Sequence, residues 1–377
     1  MKSIQPATPF PSVGYYGPAY FCDREKETEQ LISNIKGGQS TTLVALRRIG
    51  KTGLIRHLQY LLRDEYICIY TDILPTEDSL EFLNTLATAI VQAVPENTGV
   101  GAKVWNFIKS MRPVLSFDSL SGEPNVSFNL QPKESENHIG NLFECLEQQD
   151  KKIIVAIDEF QQILNYPEKN MEAWLRKTVQ ELKNVVFIFS GSQPHLMNDL
   201  FANPARPFFR STMFLQLGKI EKAVYSEFIY RKFTENGKRI ERNAIDEILD
   251  WTELHTYYVQ LLCNRVFVNS GEKIDFRPWH LEAQKLIQEQ QPVFLSYRDI
   301  LTRHQWMLLK AIAAEGETYS PTSKDFIQKY KLGSPATVLR SLQSLLAKSL
   351  IFNKYDENGA SYYSVYDVLF QRWIQNL

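Results

Sequence analysis

Apolar positions along the chain follow two patterns, and the change between them falls near residue 217. Before it, short unbroken apolar runs recur: Leu43-Val44-Ala45, 66–70 (YICIY), 153–157 (IIVAI), 184–192 (NVVFIFSGS) and 213–217 (MFLQL). Such runs predict buried strands, because a strand covered by helices on both faces needs no polar alternation. Between them lie stretches with helical periodicity. The first is placed by Asp23 as N-cap, carries Leu31, Ile32 and Ile35 on one stripe, and stops at Gly37-Gly38. Others run to about residue 63 and over 78–93, 104–111, 134–149 and 171–182. Alternation of strand and helix over 40–217 predicts an α/β domain with a doubly wound parallel sheet. VLSFD (114–118) and VSFNL (126–130) flank the turn segment SGEPN and predict a β-hairpin inserted near 113–131.

Beyond Gly218 the periodicity is helical only, over 221–234, 242–251, 257–268 and 279–289, which predicts an all-α lid at 218–295. Residues 296–377 read as three helices (LTRHQWMLLKAIAA, SKDFIQKY, SPATVLRSLQSLLAKSL) followed by the hairpin IFNKYDENGASYYSVY. That order is the order of a winged-helix domain. Pro6, Pro9, Pro11, Pro18, Gly14 and Gly17 mark residues 1–20 as an extended surface arm, which leaves 21–217 for the core.

At 377 residues with 44% hydrophobic and 23% charged residues, the chain is expected to fold as two or three domains. A formal net charge of -1 argues against a surface built throughout for nucleic acid or acidic membranes. Cys22, Cys68, Cys145 and Cys263 show no C-x-x-C spacing, and the six histidines are too dispersed for a metal centre. No apolar leader is evident and no run approaches the ~18 residues of a membrane span. The expectation is a cytoplasmic protein with reduced cysteines and no membrane contact.

The chemistry centres on Gly50-Lys51-Thr52, at the turn from an apolar strand into an amphipathic helix. Glycine lets the backbone approach an anion, the helix N-terminus offers N–H groups, lysine meets the β- and γ-phosphates and the threonine hydroxyl ligates Mg²⁺. The complete pattern has a further glycine where this chain has Ala45, and a bare G-K-[ST] arises by chance in roughly one chain in five of this length. A second signal decides: Asp158-Glu159 ends another apolar strand about a hundred residues later. Asp158 suits a magnesium-holding role and Glu159 can polarise a water for attack on the γ-phosphate. Ser190 and Ser192 read either as polar sensors of that phosphate or as simple strand termination. Arg206 and Arg210 read either as an arginine finger or as surface cations. Arg47 and Arg48 either raise the positive potential of the loop or pair elsewhere.

With these residues in place the chain resembles the archaeal-type P-loop ATPases, in the STAND class of signalling NTPases related to AAA+ proteins. The family's F-x-G-R-E appears as Phe21-Cys22-Asp23-Arg24-Glu25, and its R-R-x-G-K-T as Arg47-Arg48-Ile49-Gly50-Lys51-Thr52. Its D-E is Asp158-Glu159, its S-G-S strand end is Ser190-Gly191-Ser192, and its aromatic-x-R segment points to Arg210. The lid motif G-G-x-P-x-Y-x-Q is altered to Glu253-Leu254-His255-Thr256-Tyr257-Tyr258-Val259-Gln260, and a C-terminal D-P to Asp367-Val368. The resemblance implies an ATP- and Mg²⁺-dependent molecular switch. Arg24, Arg47, Arg48, Ile49, Gly50, Lys51, Thr52 and Gly53 would bind the nucleotide, and Thr52 and Asp158 the metal. Lys51, Asp158, Glu159, Ser192 and Arg210 would carry catalysis. A protein partner or self-association is expected through the lid or winged helix. DNA binding is the rival reading, although residues 301–377 hold only nine Lys/Arg against six Asp/Glu.

Overall fold

A computed structural model describes residues 6–94, 96, 98–119, 121–130, 132–356 and 358–377. Part of the expected arm (1–5) and two positions of the expected hairpin insertion (120 and 131) lie outside the described residues. The chain divides into two compact units, one comprising residue 6 and residues 13–220, the other residues 7–12 and 221–377.

In chain order the first unit contains α1 (Glu25–Lys36), β1 (Thr41–Val44), α2 (Lys51–Leu62), β2 (Ile67–Asp72), α3 (Ser79–Ala93) and α4 (Gly99–Ser110). There follow β3 (Val114–Phe117), β4 (Pro124–Ser127), α5 (Pro132–Glu147), β5 (Ile153–Asp158), α6 (Met171–Glu181), β6 (Val185–Gly191), α7 (Pro194–Ala202) and β7 (Met213–Gln216). Five strands form one sheet in the order β2-β5-β6-β1-β7, with every pairing parallel. Its two faces explain the unbroken apolar runs. Ile153, Val155 and Ile157 of β5 and Val185, Phe187 and Phe189 of β6 enter one core with α3, α5 and α7. Ile154, Ala156, Val186 and Ile188 enter another, against Leu31 and Ile35 of α1 and Leu54, Ile55 and Leu58 of α2. β3 and β4 pair antiparallel as an inserted hairpin, as the alternation predicted.

Helix boundaries follow the caps. Asp78 accepts from the Glu81 N–H and Thr98 from the Gly101 N–H, so α4 starts several residues before the expected 104. At α1 the expectation needs correction: the N-cap is Arg24, with no side-chain cap, and Asp23 stands just outside. Asp23 is at φ 59° and Arg24 at φ 78°. Asp23 thus keeps the left-handed backbone natural to the glycine that the family motif has there, and a short polar side chain tolerates it. Two short elements after β5 and β6 go unannounced by the pattern: a 3₁₀ turn at Phe160–Asn165, and α7, which opens on Pro194 at its first position.

The second unit begins with α8 (Lys222–Glu235), β8 (Arg239–Ile240), α9 (Arg242–Trp251), α10 (Thr256–Asn269), β9 (Lys273–Ile274) and α11 (Phe276–Asp299). The helices-only expectation is corrected by β8 and β9, which pair in parallel and tie the entry of α9 to the entry of α11. Helix α11 runs unbroken through Pro292 and past residue 295. Glu253 and Leu254, in the place of the family's two lid glycines, lie at φ 53° and 57°. Gln371 Nε2 donates to Glu253 Oε1 at 2.7 Å, which helps hold that turn. Segment 7–12 is not a surface arm: Phe10 is fully buried, its ring 4.9 Å from Phe233, and Asn264 Nδ2 donates to the Phe10 carbonyl at 2.9 Å.

The chain closes with α12 (Arg303–Glu315), α13 (Lys324–Tyr330), α14 (Pro335–Ala347), the antiparallel hairpin β10 (Ile351–Tyr355) and β11 (Ser361–Val365), and α15 (Val368–Gln375). The three helices and hairpin are the predicted winged helix. Asp367 caps α15 by accepting from the Phe370 N–H, so the change of D-P to Asp367-Val368 gives up the first-turn proline and keeps the cap.

Candidate functional site: a phosphate loop facing an acidic strand end

Placing β6 between β1 and β5 brings three strand ends together at the carboxyl edge of the parallel sheet, where open α/β sheets bind ligands. From β1 the chain passes through Ala45 to Ile49. Ala45 is buried, its N–H donates to the Gly191 carbonyl, and it is not among the left-handed residues, so no glycine is needed there. Ile49 is buried in the core beneath α2 and pins the loop, leaving only its backbone to a ligand. Gly50 caps α2 at φ 107°, a conformation that favours glycine. Lys51 is the first residue of α2, so its ammonium and the N-terminal N–H groups of a twelve-residue helix share one place. Thr52 and Gly53 follow on the first turn, and a Cβ at Gly53 would lie 3.7 Å from the Phe21 ring.

Asp158, 2% exposed, is the hub. Its Oδ1 accepts from Lys51 Nζ at 2.8 Å, from Ser190 Oγ at 2.7 Å and from the Glu159 N–H at 3.0 Å. Its Oδ2 accepts from Thr52 Oγ1 at 2.8 Å and from the Tyr70 hydroxyl at 2.9 Å. Burial pushes the Asp158 carboxyl up, but the Lys51 charge and the hydrogen bonds from Lys51, Ser190 and Thr52 overcome it and hold the pKa at about 2. Burial likewise works against the Lys51 ammonium, while Asp158 and Glu159 raise it overall. Both partners are charged at neutral pH.

Glu159 sits at φ 56°, at the start of the 3₁₀ turn, and its carboxylate is held from three sides. Ser192 Oγ donates to Oε2 at 2.6 Å, Gln161 Nε2 donates to the same oxygen at 2.5 Å, and Lys51 Nζ lies 3.4 Å from Oε1. Ser190 and Ser192 therefore act on different carboxylates, Asp158 and Glu159 respectively. Arg47 Nε donates to Ser192 Oγ at 3.4 Å. Arg48 is exposed on the loop at φ 62°.

Three arginines lie elsewhere. Arg24 is buried, and its guanidinium donates to Glu27 Oε1 at 3.0 Å and to the Gly218 carbonyl at 2.7 Å, bracing the segment after β7. Arg210 is exposed at φ 52°, its guanidinium 5.1 Å from the centre of the neighbouring Phe209 ring, and it forms no ion pair among the described residues. Arg206 is committed to Glu172 and Asp199.

Three contributors escaped the sequence reading. Tyr70 on β2 reaches Asp158, with the Arg56 guanidinium stacked 3.9 Å from its ring centre; burial and the Asp158 charge push its hydroxyl pKa up. Asp72 is the register partner of Asp158 on β2 and adds a third carboxylate to this edge. Gln161 is buried and touches Glu159. Of these, Gln161 had a local signal, two positions after the D-E pair; Tyr70 and Asp72 depend on strand pairing.

The donor set fits a nucleotide with a hard divalent cation. The Thr52 hydroxyl and the Asp158 carboxylate converge within hydrogen-bond distance, and Mg²⁺ takes oxygen ligands such as these together with water and phosphate. Among the described residues no group of three or more His, Cys, Asp or Glu forms a self-sufficient metal cage.

The model of the family described as "ATPase domain predominantly from Archaea" matches residues 21–262, and that of a "probable winged helix domain" matches 292–376. The chain therefore belongs to the family of ATPase domains found predominantly in Archaea and carries a C-terminal winged helix. Comparison with curated proteins gave no match. Among solved structures, a Walker-type ATPase of Pyrococcus abyssi is 19% identical, with 98% of this chain and 100% of that one covered and a TM-score of 0.67. The ORC1 protein of Aeropyrum pernix in complex with DNA is 13% identical over 98% and 96% of the two chains, at 0.54. The ADP form of the ORC2 protein of Aeropyrum pernix is 12% identical over 97% of each, at 0.55. At such identities these structures show a shared P-loop fold. No helix among the described residues is long and apolar enough to cross a membrane.

Gly191 makes the packing of the site testable. A Cβ there would meet Gln161 Oε1 at 2.5 Å and Met197 Sδ at 2.4 Å. Gly191→Ala should cost about 1–3 kcal/mol by overpacking and displace Gln161 from Glu159. Thermal melts should show the loss of stability, and an unchanged melting temperature would contradict tight packing at Gly191.

Proposed function

We propose that the chain binds ATP with Mg²⁺ and hydrolyses it slowly, as a switch in which nucleotide state governs the lid and the winged helix. The observation that carries this reading is the convergence of Lys51, Thr52 and Glu159 on Asp158. One strand end holds a metal-suited carboxylate, a phosphate-suited ammonium and a second carboxylate beside them. Lys51 exchanges its carboxylate partners for the β- and γ-phosphates, and the N–H groups around Gly50 hold the anion. Thr52 and Asp158 would hold Mg²⁺, which would supply positive charge against that developing on the phosphates. Glu159 orients a water in line with the γ-phosphate and takes its proton. Ser190 and Ser192 keep the two carboxylates in separate roles. Arg210 is the arginine finger of this reading, and turnover is slow if a second copy must supply it. The working division is a core at 21–217, a lid at 218–295 and a docking module at 296–377, in a cytoplasmic protein.

For the winged helix we favour a protein partner or self-association. The outer face of α14 exposes Ala336, Leu339, Arg340 and Gln343, and Leu339 is half exposed, as is expected of a contact surface low in charge. DNA binding is the second reading. The fold likeness to an ORC1 protein solved with DNA supports it, and the sparse charge of α14 opposes it.

Lys51→Ala should abolish ATP binding in equilibrium titrations. Glu159→Gln should bind ATP with near-native affinity while turnover falls by two or more orders of magnitude, about the scale of a general base; unchanged turnover would sink the assigned role. In gel shifts with duplex DNA across a salt series, the docking reading predicts no retarded band at physiological salt. A salt-sensitive shift lost in Arg340→Ala would favour the DNA reading instead.

A further inference from the structure

We propose that Gln161 is a positioning residue that fixes which oxygen of Glu159 meets the attacking water; this rests on the ATPase reading above. Gln161 lies on the 3₁₀ turn that Glu159 opens, and only 2% of it is exposed. A carboxylate only accepts, so the amide nitrogen must face Glu159, and it does so at 2.5 Å from Oε2. Ser192 Oγ donates to the same oxygen at 2.6 Å. Two neutral donors thus engage the lone pairs of Oε2 and fix the plane of the carboxylate. Oε1, with Lys51 Nζ at 3.4 Å, is left with room for a water proton.

A second observation separates positioning from packing. Gln161 Oε1 is buried without a hydrogen-bond partner among the described residues. An orphaned buried carbonyl is unfavourable, and an apolar side chain of the same shape would fill the space without that penalty. Glutamine at this place therefore serves its one satisfied group, the N–H donated to Glu159. Gly191 and Met197 close the other side of the amide, since a Cβ at Gly191 would overlap both Gln161 Oε1 and Met197. The left-handed backbone of Glu159 at φ 56° adds a further local strain at the same spot, as is common where geometry serves chemistry.

The test uses the purified full chain with ATP and two variants close to glutamine in shape, Gln161→Met and Gln161→Glu. Methionine removes the donor and the orphaned carbonyl together; glutamate keeps the shape and sets a like charge against Glu159. Both should lower kcat about 10- to 100-fold, a part of the roughly 10²- to 10⁴-fold that a positioned general base contributes. KM and the binding affinity for ATP should stay within about two-fold. The melting temperature of Gln161→Met should equal or exceed that of the native chain. The inference is overturned if kcat in either folded variant stays within about two-fold of native, or if its loss is matched by equal losses of ATP affinity and melting temperature. Should Gln161→Met not fold, packing is its role, and the inference is overturned as well. Absence of turnover in the native chain would instead overturn the ATPase reading itself.

Discussion

A buried ion pair between Lys51 and Asp158 is the constraint to which the rest of the first unit is fitted. Neither charge would be tolerated at this depth alone, and removing one partner of such a pair typically costs about 3–5 kcal/mol. The fold meets that cost by supplying Asp158 with donors from four separate segments: α2 (Lys51 and Thr52), β2 (Tyr70), β6 (Ser190) and its own backbone continuation at Glu159. Every donor but the Glu159 N–H depends on sheet order. Because β6 runs between β1 and β5, its serines face the strand end that carries the carboxylates, and because β2 pairs in register with β5, Tyr70 reaches Asp158. The pair is also poised. On the proposed reading, a phosphate would replace Asp158 as the partner of Lys51, and Thr52 and Asp158 would remain together to hold a cation.

Much of this was legible in the chain. A continuous apolar run reads as a central strand because each face of the sheet has its own core, and the cores contain alternate residues of β5 and β6. Gly50-Lys51-Thr52 and Asp158-Glu159 were found as local signals. What brings them together is strand order, and that is not local. Tyr70 and Asp72 were missed for the same reason, whereas Gln161, two positions after the D-E pair, lay within reach of a local reading. A tyrosine within YICIY carries no mark of facing a carboxylate 88 positions away. Arg24 was drawn toward the nucleotide by its motif, whereas its guanidinium is spent on Glu27 and the Gly218 carbonyl. The buried Phe10 was hidden among prolines that read as a surface arm.

Departures from the family pattern carry their own physical lesson. Four motif glycines are replaced, and three of the replacements, Asp23, Glu253 and Leu254, have positive φ. These turns hold a left-handed backbone without the residue that suits it best, at a cost of about 1–2 kcal/mol for each side chain so held. Such a cost is sustained only where surrounding contacts determine the turn, as Gln371 does at Glu253. Ala45 is the opposite case. Its glycine is dispensable because the strand exit there does not enter the left-handed region.

On the proposed function, this edge of the sheet hydrolyses ATP around a cation held by Thr52 and Asp158. Release of inorganic phosphate from ATP by the purified chain, followed with Mg²⁺ and again after chelation, tests it most directly. Slow release that stops when the metal is removed and resumes when Mg²⁺ is restored is the expected result. Release indifferent to the metal, or none at any protein concentration, would contradict it.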